Sequence, residues 1–506
     1  MSVSGARPQL ELEDIQGLVR FAHGHLGEAA FLLLRVREKN AARHWLAQAP
    51  VTSAVARKPL PATALQLAFT ADGLRALGLD EKTLAAFSEA FTSGMSGDEN
   101  RSRRLGDSGA NHPGHWRWGG DAATAPHVLL MVYTLPGKLT AHLRSIVGGE
   151  FDAAFETLQT LRSKSLGPEE PFGFVDGISQ PVIDWQQEMS TDPHERDAYV
   201  NLLAPGEVLL GYRNEYGLYT ERPLLHPAEV PDAQQLPAAE DQPELKDLGR
   251  NGSYLVLRQL AQDVPAFWRF VDEQSGGDAD EREQLAAAMV GRRRDGTPLL
   301  SRATAPIAGI SAEQADNLFT FDRDPLGRQC PVGAHIRRAN PRTGDFPPGV
   351  DGLCPRLVRT LGFGRRHRDE DLVASTRFHR ILRRGRVFGS RLTPEQALRD
   401  KPLKKAGEER GLYFVCLGAN IARQFEFVQN AWLASAKFAG LPTESDPLLG
   451  NREPLASGDA TDHFSQPRDG EPARVVRNLP RFVTVQGGAY FFLPGLRALK
   501  FILRQR

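Results

Sequence analysis

The sequence of 506 residues lacks the marks of several large classes of protein. Lys plus Arg and Asp plus Glu each number 62, so the chain has none of the basic excess typical of nucleic-acid-binding proteins. Its longest apolar runs, such as FLLL at 31–34 and VLLMV at 128–132, are far too short to cross a bilayer. We therefore expect no binding to nucleic acid and no insertion into a membrane.

Cysteine and targeting segments are equally scarce. The three cysteines, Cys330, Cys354 and Cys416, include no C-x-x-C pair and are too few for a disulfide framework. The segment 1–16 has neither the basic and apolar regions of a secretory signal nor a twin-arginine pair. Together these absences predict a protein of the reducing cytoplasm.

Familiar catalytic motifs are also missing. There is no P-loop, no H-E-x-x-H and no G-x-S-x-G. His112 and His115 have a spacing that could bind a metal, but no cysteine pair or acidic cluster accompanies them, which favours a turn with packed aromatic side chains. What the chain does have is 41% hydrophobic residues, an ordinary content for a globular protein with a sizeable core.

Two segments of the sequence resemble each other. FLLLRVREKNAARHW at 31–45 and YLVLRQLAQDVPAFW at 254–268 each begin with an aromatic residue and three aliphatic ones, and each ends on a tryptophan at the same offset. Each predicts a buried strand followed by a helix. Further strand–helix patterns at 64–79, 127–146 and 411–432 predict an α+β fold in which helices cover one face of an antiparallel sheet.

Two polar segments interrupt this pattern. Residues 222–249, rich in Pro, Glu and Asp, predict a linker or a long surface loop between an N-terminal domain (1–221) and a C-terminal domain (250–506). Residues 441–478 predict a loop insertion in which nothing specifies chemistry.

The segment EPFGFVDGISQP at 170–181 places one carboxylate, Asp176, among apolar side chains, with Gly173 and Gly177 on either side. Asp-Gly most often marks a turn, and that reading stays open. A turn alone does not account for a carboxylate in so apolar a setting, and the rest of the sequence has to explain it.

Basic residues gather in two later segments. RDPLGRQCPVGAHIRRANPR at 323–342 surrounds His335 with arginines, which suits a negatively charged cofactor held by one axial ligand, such as haem with its two propionates. A packed histidine in a solvated loop remains the alternative. In RFHRILRRGRVFG at 377–389, arginines alternate with apolar residues, so at least one should face an anion or a carboxylate.

These segments resemble, in the same order, the signatures of the dye-decolorizing peroxidases. GFVDG at 173–177 resembles their G-x-x-D-G motif, CPVGAHIRRANPR at 330–342 their proximal-histidine segment, and ILRRGRVFG at 381–389 their distal-arginine strand. NIARQFEFVQ at 420–429 and TVQGGAYFFLPGLRAL at 484–499 are similar to the long, bacterial-type subgroup. The resemblance spans nearly the whole chain.

The resemblance implies two ferredoxin-like domains with antiparallel sheets, of the dimeric α+β barrel superfamily, and one haem b per chain between or beside them. The N-terminal domain would carry the G-x-x-D-G loop, and the C-terminal domain the histidine and the arginine. The implied activity is reduction of hydrogen peroxide with oxidation of dye-like, phenolic or other organic donors. Formation of a homo-oligomer stays open.

The resemblance also implies roles for individual residues. His335 would be the iron ligand, Asp176 the distal acid–base group, and Arg383 the residue that stabilises negative charge on the departing oxygen. Arg384 and Arg386 are weaker candidates for the same position. An apolar wall raises the pKa of a carboxylate and an adjacent guanidinium lowers it, so Asp176 would remain ionised and able to take a proton.

Five further residues are expected to support the cofactor. Gly173 and Gly177 would let the backbone approach the porphyrin. Arg337 and Arg342 would bind the propionates, although surface salt bridges explain them equally well. Asn420 aligns where relatives place an acid that accepts a hydrogen bond from the proximal histidine, and a neutral partner would leave that imidazole less anionic.

Several alternatives accompany these expectations. Cys330 is a rival iron ligand, Leu412 and Phe414 either line the haem or belong to the core, and 350–375 predicts an extra loop. A haem-binding or storage protein, or a protein that releases iron from haem, is the alternative function. Asp176 and Arg383 argue against a carrier, because a carrier needs the axial ligand but no acid–base pair.

Overall fold

The computed structural model describes residues 9–165, 167–187, 201–300, 317, 319–321, 324–342, 375–399 and 408–504. The predicted loop 350–375 lies outside these ranges. Within them the strands are, in chain order, β1 (Glu28–Val36), β2 (Thr63–Phe69), β3 (Val128–Thr134), β4 (Phe155–Arg162), β5 (Val182–Ile183), β6 (Leu202–Leu203), β7 (Leu224–Leu225), β8 (Lys246–Asp247), β9 (Ser253–Gln262), β10 (Leu382–Arg383), β11 (Arg386–Phe388), β12 (Gly411–Gly418), β13 (Phe464–Gln466), β14 (Arg474–Val476) and β15 (Val483–Leu493).

The helices of the described ranges are mostly short. They are α1 (Gly17–Arg20), α2 (Lys39–Gln48), α3 (Ala71–Ala76), α4 (Glu81–Ala85), α5 (Glu89–Ser93), α6 (Glu99–Leu105), α7 (Leu139–Ile146), α8 (Glu150–Ala154), α9 (Val264–Gln274), α10 (Ala279–Val290), α11 (His335–Ala339), α12 (Pro394–Arg399) and α13 (Leu496–Arg504). Single 3₁₀ turns are Gly109–Asn111, Pro113–His115, Pro205–Glu207, Pro231–Gln235, Ser375–His379 and Phe438–Gly440, and Ala422–Glu426 and Val428–Ala434 are π-helical. None of these helices is long and apolar enough to span a membrane.

One antiparallel sheet organises the described chain. Its strands run in the order β10-β12-β9-β15-β2-β3-β1-β4, and β11 also pairs with β12. Strands β1 to β4 form one half of this sheet, and strands β9 to β12 with β15 form the other. The halves join where Phe492 of β15 pairs with Phe69 of β2. The predicted α+β fold with antiparallel pairing is confirmed, whereas the domain boundaries stay a prediction.

The repeated sequence pattern produces the same unit in each half. Strand β1 leads into α2, and strand β9 leads into α9, as the pattern predicts. The side chain of Asp263 caps α9 by accepting a hydrogen bond from the Ala266 N–H at 3.0 Å. Along β1, Ala30, Leu32 and Leu34 belong to one apolar cluster and their alternate neighbours to another, so both faces of the sheet are buried.

The connection 222–249 is folded against the rest of the protein. Strands β7 and β8 pair within it, and its buried Arg222 donates a hydrogen bond from Nε to Asp247 Oδ2 at 2.6 Å. Leu236 and Leu248 are also buried. Although its composition is polar, the segment 222–249 therefore contributes side chains to the core.

Candidate active site

A large cavity lies against the C-terminal half of the sheet. It encloses about 1760 Å³ of space not filled by protein atoms, a figure that includes its open mouth. Leu412 and Phe414 of β12 and Leu260 of β9 form part of its wall. Leu412 and Phe414 line the cavity and also pack against the apolar core, so both explanations for them remain.

Asp176 and Arg383 meet in the wall of this cavity. Arg383 Nη1 donates a hydrogen bond to Asp176 Oδ1 at 2.8 Å. The arginine stands at the end of β10, where its backbone N–H donates to Gln180 Oε1 at 3.0 Å. The backbone N–H of Asp176 donates to Pro168 O at 2.9 Å. Two segments distant in sequence are thereby held as one pair.

The surroundings of Asp176 determine its charge. Burial raises the pKa of its carboxyl, but the Arg383 guanidinium, the Gly177 N–H and His335 outweigh burial, and the pKa lies below its usual value. The Gly177 N–H donates to Oδ1 at 2.6 Å. Asp176 is therefore ionised in neutral and mildly acidic solution, with Oδ1 fully engaged.

The two other arginines of this segment point elsewhere. Arg384 Nε donates to Leu18 O at 2.8 Å, and Arg386 Nη2 donates to Ala22 O at 2.9 Å. Neither lines the cavity, whereas Arg383 does. The choice of Arg383 from the spacing agrees with this placement.

His335, which is the first residue of α11, lines the same cavity. Its Nδ1 lies 3.0 Å from Asp446 Oδ2, and Asp446 is fully buried. Burial lowers the pKa of the imidazole, but Asp446 raises it by more, so the net shift is upward. Because the carboxylate holds Nδ1, Nε2 is the ring nitrogen left to bind a metal.

The expectation that Asn420 partners the histidine is wrong. Asn420 Oδ1 accepts the backbone N–H of Arg423 at 2.8 Å and so caps the start of the π-helical turn. Asp446 takes the position instead, and it belongs to 441–478, a predicted loop insertion in which no motif specified chemistry. The imidazole thus has an anionic partner, which reverses the expectation of a less anionic ring.

The expected propionate ligands lie outside the cavity wall. Arg337 donates to Cys330 O at 2.7 Å and to Asp324 O at 2.8 Å. Arg342 Nη1 donates to Asn317 O at 2.9 Å. Neither residue lines the cavity, so the structure does not place them at a cofactor. The arginines that line it, besides Arg383, are Arg258, Arg292 and Arg380.

The two glycines of the G-x-x-D-G loop adopt backbone conformations that favour glycine. Gly173 has φ of 93° and Gly177 has φ of 87°, in the left-handed region that side chains disfavour. Neither lines the cavity. These backbone angles let the loop turn, and the close approach of the two glycines to a porphyrin stays a prediction.

Cys330 is unsuited to bind iron in this structure. Its side chain is buried outside the cavity wall, and burial raises the pKa of the thiol to about 12. Such a thiol stays protonated, and metals bind the thiolate. Among the described residues, no group of three or more His, Cys, Asp or Glu side chains could hold a metal ion.

Comparisons with known proteins find peroxidases that are similar to this chain. No protein-family model matches the chain. It is 29% identical over 525 residues to "Peroxidase 2" of Mycetinis scorodonius, covering 99% of this chain and 89% of that one. It is 31% identical over 345 residues to "Multifunctional dye peroxidase DyP2" of an Amycolatopsis species, covering 65% and 60%.

Solved structures match the fold over almost its whole length. An ancestral D-type dye decolorizing peroxidase has a TM-score of 0.69 and 25% identity, covering 97% of this chain and 99% of that one. A fungal DyP-type peroxidase from Auricularia auricula-judae has a TM-score of 0.70 at 22% identity, covering 98% and 99%, and therefore bears on the fold alone.

Sequence and fold agree on the class of protein: the chain is a peroxidase. Over nearly its whole length it is similar to dye-decolorizing peroxidases, and haem is the cofactor that this similarity implies. The expected bacterial-type subgroup is not supported, because the relatives include fungal proteins that align with nearly the whole chain.

Proposed function

We propose that the protein is a haem-dependent peroxidase in which His335 binds the iron, Asp176 carries a proton, and Arg383 stabilises negative charge. The observation that carries the proposal is that one cavity is lined by all three residues, with Asp176 and Arg383 in direct contact. A haem carrier would need His335 but would gain nothing from that contact. Storage and iron release are therefore the weaker candidates.

The cavity suits one haem per chain. His335 offers Nε2 as a ligand, and its Nδ1 is fixed by a carboxylate, as is common for ligating histidines. Apolar side chains of β9 and β12 offer contacts to a porphyrin. Arg292 and Arg380 are our candidates for the propionates, because both are buried and both line the cavity.

Asp176 supports the proton transfers that peroxide reduction requires. One proton leaves the oxygen of hydrogen peroxide that stays, and a proton must reach the oxygen that departs as water. Bound haem supplies the electrons. Asp176 Oδ1 is occupied by Arg383 and Gly177, so Oδ2 is the oxygen that takes and returns the proton.

Arg383 supports the same step by electrostatics. Negative charge builds on the departing oxygen before the proton arrives, and a guanidinium already held in place stabilises it without reorganisation. The bond to Asp176 and the strand β10 hold Arg383 there.

The electron donors are small organic molecules. The relatives' names describe dye peroxidases, and one solved peroxidase of this fold is a complex with 2,6-dimethoxyphenol. We extend the class of phenolic and dye-like donors to this chain as part of the proposal.

The test is the reaction of haem-loaded Asp176→Asn with hydrogen peroxide under rapid mixing. We expect the second-order rate constant to fall by about 10²- to 10⁴-fold, because a positioned acid–base group contributes that much. The haem absorption spectrum before mixing should be unchanged. Glu169→Gln is the matched control, because Glu169 binds Arg391 outside the cavity wall. An unchanged rate in Asp176→Asn would disprove the role of Asp176.

A further inference from the structure

A second carboxyl, that of Glu170, lines the cavity close to Asp176 in sequence. Its Oε2 accepts hydrogen bonds from the Phe172 N–H at 3.0 Å and from Gln262 Nε2 at 2.8 Å. Its Oε1 accepts the Phe174 N–H at 3.1 Å. The proposed peroxidase chemistry gives this residue no task.

These bonds connect the Asp176 loop to the sheet. Gln262 is the last residue of β9, whereas Phe172 and Phe174 belong to the loop that continues into Asp176. The backbone adds to the closure, because the Glu170 N–H donates to Phe174 O at 2.9 Å. A single side chain thus fixes the start of the loop at the edge of the cavity.

We propose that Glu170 is a positioning residue for Asp176, which ties the Asp176 loop to strand β9 through Gln262. The proposal rests on the proposed role of Asp176 in proton transfer. It assigns Glu170 no contact with peroxide or with the cofactor.

The surroundings of Glu170 favour the uncharged form. Burial raises the pKa of Glu170 to about 7, and its three hydrogen-bond donors reduce that rise without cancelling it. The negative charge of Asp176 raises the pKa further. Two carboxylates in one cavity repel each other, and Arg383 keeps Asp176 ionised, so Glu170 is the one that holds a proton.

The guanidinium groups around the loop are committed to other partners. Arg294 binds Glu283 at 3.2 Å and Gly173 O at 3.3 Å. Arg258, which lies on β9 as Gln262 does, is paired with Asp107. In the described parts of the chain Glu170 therefore accepts hydrogen bonds but forms no ion pair.

Gln262 can hold Glu170 in either protonation state. Its Oε1 is buried and has no hydrogen-bond partner among the described residues. Turning the amide over would place this oxygen where Nε2 now stands, facing Glu170 Oε2. The acid's O–H would then donate to Gln262 Oε1, so the bond between loop and strand survives protonation.

Amide hydrogen exchange of the haem-loaded protein tests the positioning. In Glu170→Ala we expect the peptide containing 170–177 to exchange about tenfold faster, because the Phe172 and Phe174 N–H groups lose their acceptor. Gln262→Leu removes the tie to β9 with Glu170 intact and should also speed exchange. Glu169→Ala is the control, since Glu169 lies outside the cavity wall. Unchanged exchange in both Glu170→Ala and Gln262→Leu would overturn the proposal.

The conservative variant separates positioning from mere packing. Glu170→Gln resembles the uncharged acid, so at pH 5 its rate with peroxide should stay within about threefold of the parent, whereas Glu170→Ala should lose about tenfold or more. Equal losses in the two variants would contradict the uncharged form.

Infrared spectra report the charge directly. The difference spectrum of parent minus Glu170→Gln should contain a carboxylic acid band that disappears as the pH rises through about 7, and Asp176→Asn should keep this band. A difference spectrum without this band at pH 5 would overturn the uncharged form of Glu170. A normal rate in Asp176→Asn would refute the proposed function, whereas a slow Asp176→Asn beside a normal Glu170→Ala would refute only the present inference.

Discussion

Two basic side chains that line the cavity, His335 and Arg383, are each paired with a carboxylate, and the two carboxylates differ in how many of their oxygens are engaged. Asp446 has no exposed surface, and both of its oxygens are engaged, Oδ2 by His335 and Oδ1 by the N–H groups of Leu448 and Leu449. Asp176 is 41% exposed, toward the cavity, and only its Oδ1 is engaged. A fully satisfied carboxylate orients its neighbour, whereas one with a free oxygen can exchange a proton.

The partners of these carboxylates show the same contrast. Arg383 is a permanent cation and keeps Asp176 ionised. His335 is held through Nδ1 and keeps Nε2 for a metal. In the proposed function, the pair of Asp176 and Arg383 serves proton transfer and the pair of His335 and Asp446 serves iron binding.

The largest effect is expected from removing the guanidinium of Arg383. Without Arg383, burial would dominate and the pKa of Asp176 would rise, so the base would be lost along with the charge stabilisation. In haem-loaded Arg383→Ala we expect the rate constant with peroxide to fall by about 10³-fold, measured by rapid mixing. Arg391→Ala is the control, since Arg391 binds Glu169 outside the cavity wall. A loss below tenfold would break the assignment.

Removing the charge of Asp446 should affect the cofactor rather than the proton. We expect Asp446→Asn to weaken haem affinity by about 10- to 100-fold, measured by haem titration. The iron reduction potential should rise, because the imidazole becomes less electron-rich. Asp459→Asn, an exposed position in the same loop, serves as control. A potential at or below that of the parent would contradict the account.

A smaller effect is expected on stability. The pKa of Glu170 is about 7 in the folded protein, above its ordinary value of 4.5, so its contribution to the free energy of unfolding is complete below 4.5 and is lost as the pH rises through 7. The haem-loaded parent should therefore lose about 2 kcal/mol between pH 5 and pH 8 relative to Glu170→Gln. Denaturant unfolding at the two pH values measures this difference. Equal pH dependence in both proteins would show that Glu170 ionises normally.

The sequence predicts one pair of the cavity and misses the other. Asp176 and Arg383 stand in separate motifs whose resemblance to the family brings them together. Asp446 lies in a polar segment that also contains Asp459 and Asp462, and nothing local marks the one that turns inward. Its selection depends on the folding of the loop onto α11, which no short motif encodes.

Proximity in sequence misled us about the arginines. Ile336, Ala339 and Asn340 line the cavity with His335, as positions on one face of a helix do. Arg337 falls on another face, where it meets Asp324. The strand–helix repeats were predictable because their apolar period is regular, whereas the direction of a side chain on a five-residue helix was not.

The most direct test compares haem-loaded Asp176→Asn and Asp446→Asn side by side, in peroxide rate constant and in haem affinity. We expect Asp176→Asn to lose about 10²-fold or more in rate while it retains haem, and Asp446→Asn to lose mainly haem affinity. If Asp176→Asn instead kept a normal rate constant, or lost haem as Asp446→Asn is expected to do, the assignment of Asp176 to proton transfer and of Asp446 to haem binding would be contradicted.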